Sequence, residues 1–186
     1  LPKALVILAD GFEELEAAAP ITVLRRAGVE VTVAGLHDQP VRGSRGLTFV
    51  PDAPLEWVAD QPFDLVVLPG GMPGTLNLRN SSLVSHVLRV AQQRGVAIAA
   101  ICAAPTVLAA MGFLQGRRAT AHASVRAELS LAGAELVPDR PVVTDGKFVT
   151  SQGAGTAVEF ALELVRLLAG HAKAADVARG MMLDPA

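Results

Sequence analysis

With 186 residues the chain can bury one sizeable core but not two, and residues 1–186 are read as one domain. Hydrophobic residues at 51% and charged residues at 18% exclude the polar regime of disorder, while a formal net charge of −2 with scattered Lys and Arg leaves no basic stripe for nucleic acid. No apolar run reaches the roughly 18 residues of a membrane span and no charged-then-apolar leader opens the sequence, so a cytoplasmic protein is expected.

In chain order, Ala4–Ala9 is a continuous apolar run, as for a strand covered on both faces, and Asp10-Gly11 ends it. Glu13–Ala27 predicts a helix with acids in its first turn, a kink at Pro20 and Gly28 past its end. Val29–Ala34 is a second strand, and Val41–Val50 a hairpin or strand pair around a glycine-bearing turn. Leu55–Ala59 is a short helix. Asp64–Leu68 is a buried strand, broken at Pro69-Gly70-Gly71 and followed by a loop, Met72–Thr75. Ser82–Arg94 is helical, with Asn80 or Ser81 as its cap. The apolar run Val96–Ile101 leads into Cys102, and a helix over Pro105–Met111 follows.

Arg118–Ala121 is a short strand that delivers His122. Val142–Thr144 and Phe148–Thr150 flank a two-residue hairpin signal at Asp145-Gly146. Ala157–Leu168 and His171–Arg179 close the chain as helices. Strands alternating with helices across short loops predict an α/β fold, a three-layer sandwich with a mostly parallel sheet.

In such a sheet, ligands bind beyond the carboxyl ends of the strands. Cys102, the one cysteine, sits at a strand-to-helix junction where unpaired helix N–H groups favour a thiolate. That position suits a nucleophile or a peroxide sensor, and it equally suits a small buried hydrophobe. A single thiol excludes a resolving cysteine in the same subunit. Gly70 and Gly71 are either a turn that needs glycine torsions or, with the Ala103 amide, an oxyanion site.

Glu13 and Glu14 read as solvated first-turn acids. Glu16 shares a face with Ala19 and Pro20, towards the sheet, where burial would raise its pKa and keep it protonated beside the sulfur. His122 alone of the four histidines arrives at this edge, as a general base or as an ordinary polar residue. There is no metal-ligand spacing, Walker loop or dinucleotide glycine fingerprint, and no cofactor is expected.

Four segments together carry a resemblance: Ala4–Glu16, Val66–Gly71, Ala99–Thr106 and Thr150–Thr156. From about Ala4 to Gly180 the chain resembles the ThiJ/PfpI superfamily, specifically its Parkinson-disease-protein (DJ-one) branch with the bacterial YajL-like deglycase-chaperones nearest. The resemblance implies a flavodoxin-like, class I glutamine-amidotransferase-like fold, a homodimer, and a reactive Cys102 at a strained elbow bonded to protonated Glu16. It also implies Gly71 and Ala103 amides beside the sulfur, His122 nearby, and Arg45 reaching the cysteine site of the neighbouring subunit.

Ala103 stands where PfpI-type peptidases carry a histidine, which weakens a peptidase reading, and the later His-x-Glu pair of the amidotransferases is absent. Gly43 and Val50 stand where some relatives have further cysteines. The expected activity is cofactor-free glyoxalase or deglycase chemistry on methylglyoxal, glyoxal or early glycation adducts of protein or nucleotide. The alternative is an oxidative-stress sensor or redox-regulated chaperone working through a Cys102 sulfinate; an inert cysteine is the third reading.

Overall fold

The computed structural model describes residues 1–184. Its main sheet has seven strands in the order β10 (Val142–Asp145), β11 (Phe148–Ser151), β7 (Ala97–Ile101), β6 (Leu65–Leu68), β1 (Lys3–Leu8), β2 (Glu30–Gly35) and β5 (Ala53–Pro54). Every neighbouring pair is parallel except the β10–β11 hairpin.

Because successive side chains point to opposite faces, each central strand feeds two cores. Ala4, Val6, Leu8, Leu65, Val67, Ala99 and Ile101 face one way, into a core with Ala17 and Leu24 of α1 (Glu14–Arg26) and with Phe160 and Leu164 of α7 (Ala157–Ala169). Leu5, Ile7, Val66, Leu68, Ile98 and Ala100 face the other, against Val84 and Leu88 of α4 (Ser82–Gln93) and Val107 and Leu108 of α5 (Pro105–Ala110). The near-continuous apolar runs of the central strands are the consequence of this double burial. Helix α8 (His171–Gly180) lies against α7. The result is the three-layer sandwich that the alternation of elements predicts.

The differences are local and have physical causes. The expected loop at Met72–Thr75 instead opens α3 (Gly74–Asn80), a helix poor in strong helix formers and held by its surroundings. A Cβ at Gly74 would lie 2.6 Å from the Phe12 nitrogen, so only glycine permits this approach. The Asp145-Gly146 turn is shifted by one residue: Asp145 still pairs with Phe148, and Gly146 and Lys147 make the turn, Gly146 at φ 60°. Strand β8 (Arg118–Ala119) pairs with β9 (Glu135–Leu136) in a separate two-stranded sheet, and α6 (Arg126–Leu131) lies between them in sequence. Neither β9 nor α6 is signalled by periodicity, since each is short. The predicted hairpin is present as β3 (Val41–Arg42) and β4 (Thr48–Phe49), and α1 continues through Pro20.

The chain leaves β1 for β2 on one side and returns to β6 on the other. This reversal opens a crevice at the carboxyl ends of β1 and β6, and β7 adds its own carboxyl end beside β6. The first α1 turn, the Gly70-Gly71 loop and Cys102 all converge there.

Candidate active site

Register alone places the glycine loop beside the cysteine. Leu68 pairs with Ala100, so two residues later Gly70 and Cys102 stand abreast where the strands end. A Cβ on Gly70 would lie 2.6 Å from the Cys102 Cβ, 2.6 Å from Glu16 Oε2 and 2.7 Å from the Ile101 carbonyl. Only hydrogen fits in that space.

Cys102 has φ 66°, a left-handed conformation that a non-glycine residue adopts only when its surroundings impose it. Here they do so from two sides. Its N–H donates to the Ser151 carbonyl at the end of β11 (3.0 Å), and its carbonyl accepts from the His122 N–H (2.9 Å). The chain then turns straight into α5, with Pro105 at the first helical positions and the Thr106 hydroxyl donating to the Ala103 carbonyl at 2.7 Å. The thiol is lifted out of the sheet plane and remains partly exposed. The Gly71 and Ala103 N–H groups donate to its sulfur.

Glu16 lies in the first turn of α1, where the Glu13 carboxylate accepts its N–H at 2.9 Å as the helix cap. Its side chain is 1% exposed, with Oε2 accepting from the Gly70 N–H at 2.8 Å and the carboxyl in hydrogen-bond contact with Cys102. Burial raises its pKa to about 7; the Cys102 and Gly70 hydrogen bonds oppose that rise, and the Glu13 charge adds to it. Glu16 is thus buried, with its proton affinity raised, as its place on the sheet-facing side of the helix predicts.

At Cys102 the influences on the proton oppose one another. Burial pushes the Cys102 thiol up to about 12, helped by the Glu16 charge and hydrogen bond and opposed by the Ala103 and Gly71 N–H groups. The helix start is outweighed because the sulfur is partly withdrawn from water and faces a carboxylate. Two groups this close titrate as a pair, and the first proton lost near neutrality comes from that pair. In the singly ionised pair the thiol and the carboxyl share one proton.

The structure also shows where Gly70, His122 and Arg45 stand. The Gly70 N–H, expected in an oxyanion site, is engaged by Glu16, which leaves Gly71 and Ala103 as the donors at the sulfur. His122 supplies its backbone N–H to Cys102, and its exposed ring has Nδ1 2.8 Å from the Ser124 hydroxyl. Arg45 is exposed on the β3–β4 turn; its backbone N–H donates to Glu14 Oε1 at 2.8 Å, and among the described residues its guanidinium has no partner.

Sequence reasoning missed Glu13 and Glu14. Glu13 is a cap rather than a solvated acid, and the three-residue spacing to Glu16 is the signal that shows it. Glu14 is 5% exposed and binds the Arg45 and Leu47 N–H groups through Oε1, while its Oε2 is buried without a partner. Gly43 is the corresponding signal, since a Cβ there would lie 2.3 Å from Glu14 Oε1.

Residues 2–167 match the DJ-1/PfpI family. The chain belongs to that family. It is 48% identical over 182 residues to Protein dj-1beta of Drosophila melanogaster, covering 97% of each chain. The crystal structure of Drosophila melanogaster DJ-1beta superposes with a TM-score of 0.95 at 47% identity, covering 98% of both chains. The Caenorhabditis elegans glutathione-independent glyoxalase DJR-1.2 is 36% identical over 182 residues, covering 97% of this chain and 96% of its own. The flavodoxin-like DJ-1/PfpI architecture expected from the motifs is thus the fold of this protein.

Proposed function

We propose that the protein is a glutathione-independent glyoxalase or deglycase, acting on methylglyoxal, glyoxal or early glycation adducts of protein or nucleotide. The observation that carries this reading is the Cys102–Glu16 pair at the mouth of the crevice, with two backbone N–H groups at the sulfur. The glyoxalase named among the relatives supports the substrate class.

The ionised Glu16 takes the Cys102 proton as sulfur attacks the aldehyde carbon, and the oxyanion, held by the Gly71 and Ala103 N–H groups, then takes that proton back from Glu16 to give the hemithioacetal. Glu16 next removes the hydrogen from that carbon, giving an enediolate, and returns it to the adjacent carbon as the hydroxyl proton passes between the two oxygens, giving a lactoyl thioester. Water hydrolyses the thioester to lactate and restores the thiol. One water is consumed and no oxidant is needed, because one carbon is oxidised as its neighbour is reduced. Lactate formation from methylglyoxal without glutathione tests this: Cys102→Ala should abolish it and Glu16→Gln should cut it by about 10²-fold or more. Rates unchanged in both variants eliminate the mechanism.

The partial exposure of Cys102 favours a second reading, oxidation by peroxide to a sulfinate that Glu16 and the same N–H groups hold, with stress sensing or chaperone action as the consequence. Intact mass after graded peroxide distinguishes it, since a gain of two oxygens at Cys102 before any other residue is required. A homodimer and a cytoplasmic location are part of the proposal. Leu15 and Leu47 (each 60% exposed) and Val50 (80% exposed) lie on α1 and the β3–β4 hairpin with Arg45, a surface that pairing would cover. Light scattering on Leu47→Asp checks the dimer. Among the described residues no helix is long and apolar enough to cross a membrane.

A further inference from the structure

A groove separate from the Cys102 crevice lies between α4, α5 and the end of α3. It encloses about 550 Å³, within the usual range for small-molecule sites. Its lining joins three kinds of group. Met111 and Phe113 supply an apolar wall, Gln92 and Gln93 supply amides, and Arg79 and Arg89 supply two guanidiniums. No Asp or Glu lines it.

Arg79 is held by Glu128 of α6 at 2.5 Å, with both side chains partly exposed. Arg89 has no ion pair or hydrogen bond among the described residues, and neither do the side chains of Gln92 and Gln93. The polar half of the groove thus carries two cations against one external carboxylate, with its remaining donors unspent. An anion is favoured there, and the thioether and phenyl opposite favour an apolar body attached to it. A phosphomonoester, close to doubly charged at neutral pH and bearing three acceptor oxygens, matches a pair of guanidiniums better than a single carboxylate does.

We propose that this groove binds a phosphorylated small molecule with an apolar or aromatic body, with Arg89 and Arg79 on the phosphate and Met111 and Phe113 against the body. The site is independent of the glyoxalase reading, because none of its lining residues takes part in that chemistry.

Phenyl phosphate is the probe, titrated into the full chain at low ionic strength by calorimetry and by methyl NMR, the Met111 signal being assigned from Met111→Leu. Saturable binding that moves the Met111 methyl is expected, with inorganic phosphate at least about tenfold weaker and phenol undetectable. Arg89 is exposed, so Arg89→Gln should fold normally and weaken phenyl phosphate by about tenfold, leaving lactate formation unchanged. Absence of saturable binding, shifts that spare Met111, equal affinity for inorganic phosphate, or an unaffected Arg89→Gln each overturns the proposal. Since binding is read without turnover, an inactive enzyme that still binds phenyl phosphate refutes the glyoxalase reading alone.

Discussion

Replacing Glu16 by Gln should change how the stability of the protein depends on pH, in a direction that most acid substitutions do not share. The folded state holds the Glu16 proton to about pH 7, whereas the unfolded chain releases it near the ordinary 4.5. Between those values the native state binds the extra proton, so stability falls as pH rises, by about 1.4 kcal/mol per unit. Across the full interval the loss is about 3 kcal/mol, complete once pH exceeds 7 and absent below 4.5.

Glutamine is close in shape, can accept the Gly70 N–H, and does not titrate. The difference in unfolding free energy between Glu16→Gln and wild type should therefore shift in favour of the variant by about 3 kcal/mol from pH 5 to pH 8. Urea denaturation at the two pH values reads this as a relative midpoint change of about 1 M or more. The comparison cancels every other carboxylate and histidine, and both proteins carry Cys102→Ala so that the thiol, whose titration depends on Glu16, does not enter. A difference that stays flat between pH 5 and pH 8 would show that Glu16 is ionised normally in the folded protein, and both the buried acid and its role as base would fall.

Gly70→Ala should destabilise the fold by about 1–3 kcal/mol and abolish lactate formation, because the new methyl must displace Cys102, Glu16 or the Ile101 carbonyl; thermal melting with a turnover assay checks both. Glu13→Ala removes the α1 cap, costing about 1 kcal/mol in urea unfolding, and deletes a like charge near Glu16, so the acid limb of the pH–rate profile should move to lower pH. His122→Ala should leave turnover within about threefold of wild type, since its ring is bound to Ser124 and only its backbone serves Cys102; a loss near the 10²-fold scale of acid–base catalysis would refute that placement.

The layered fold was legible because its core strands are buried on both faces, and in a chain of this composition an unbroken run such as Ala4–Leu8 is the pattern that a strand covered by helices on either side requires. Short elements carried no such signal. Residues Gly74–Asn80 form a helix because tertiary contacts with the Gly11-Phe12 loop hold them, and β9 has two residues, too few to show a period. In the site, Cys102, Glu16 and Gly71 could be placed from the carboxyl-edge rule and the family motifs. The direction of the His122 ring and the partner of the Gly70 N–H could not, since each depends on a single rotamer or peptide plane. The balance of influences on the sulfur's charge was not legible for a different reason. A helix start is visible in sequence, but burial of the sulfur and the carboxylate beside it are properties of the folded edge, and together they outweigh it.

That reversal bears on how the site stays selective. A free thiolate in a partly exposed crevice would react with any electrophile or peroxide that reached it. Here burial disfavours the anion on both groups, and the nucleophile is exposed as the shared proton settles on Glu16. The transfer is favoured when the negative charge leaving sulfur is taken up by an oxyanion, which is the charge that the Gly71 and Ala103 N–H groups are placed to receive. An aldehyde supplies that oxyanion; an alkyl halide does not. Reactivity towards methylglyoxal relative to iodoacetamide should therefore exceed that of a small free thiol of ordinary pKa, and Glu16→Gln should erase most of the excess. Equal ratios for protein and free thiol would mean that the pair merely buries sulfur.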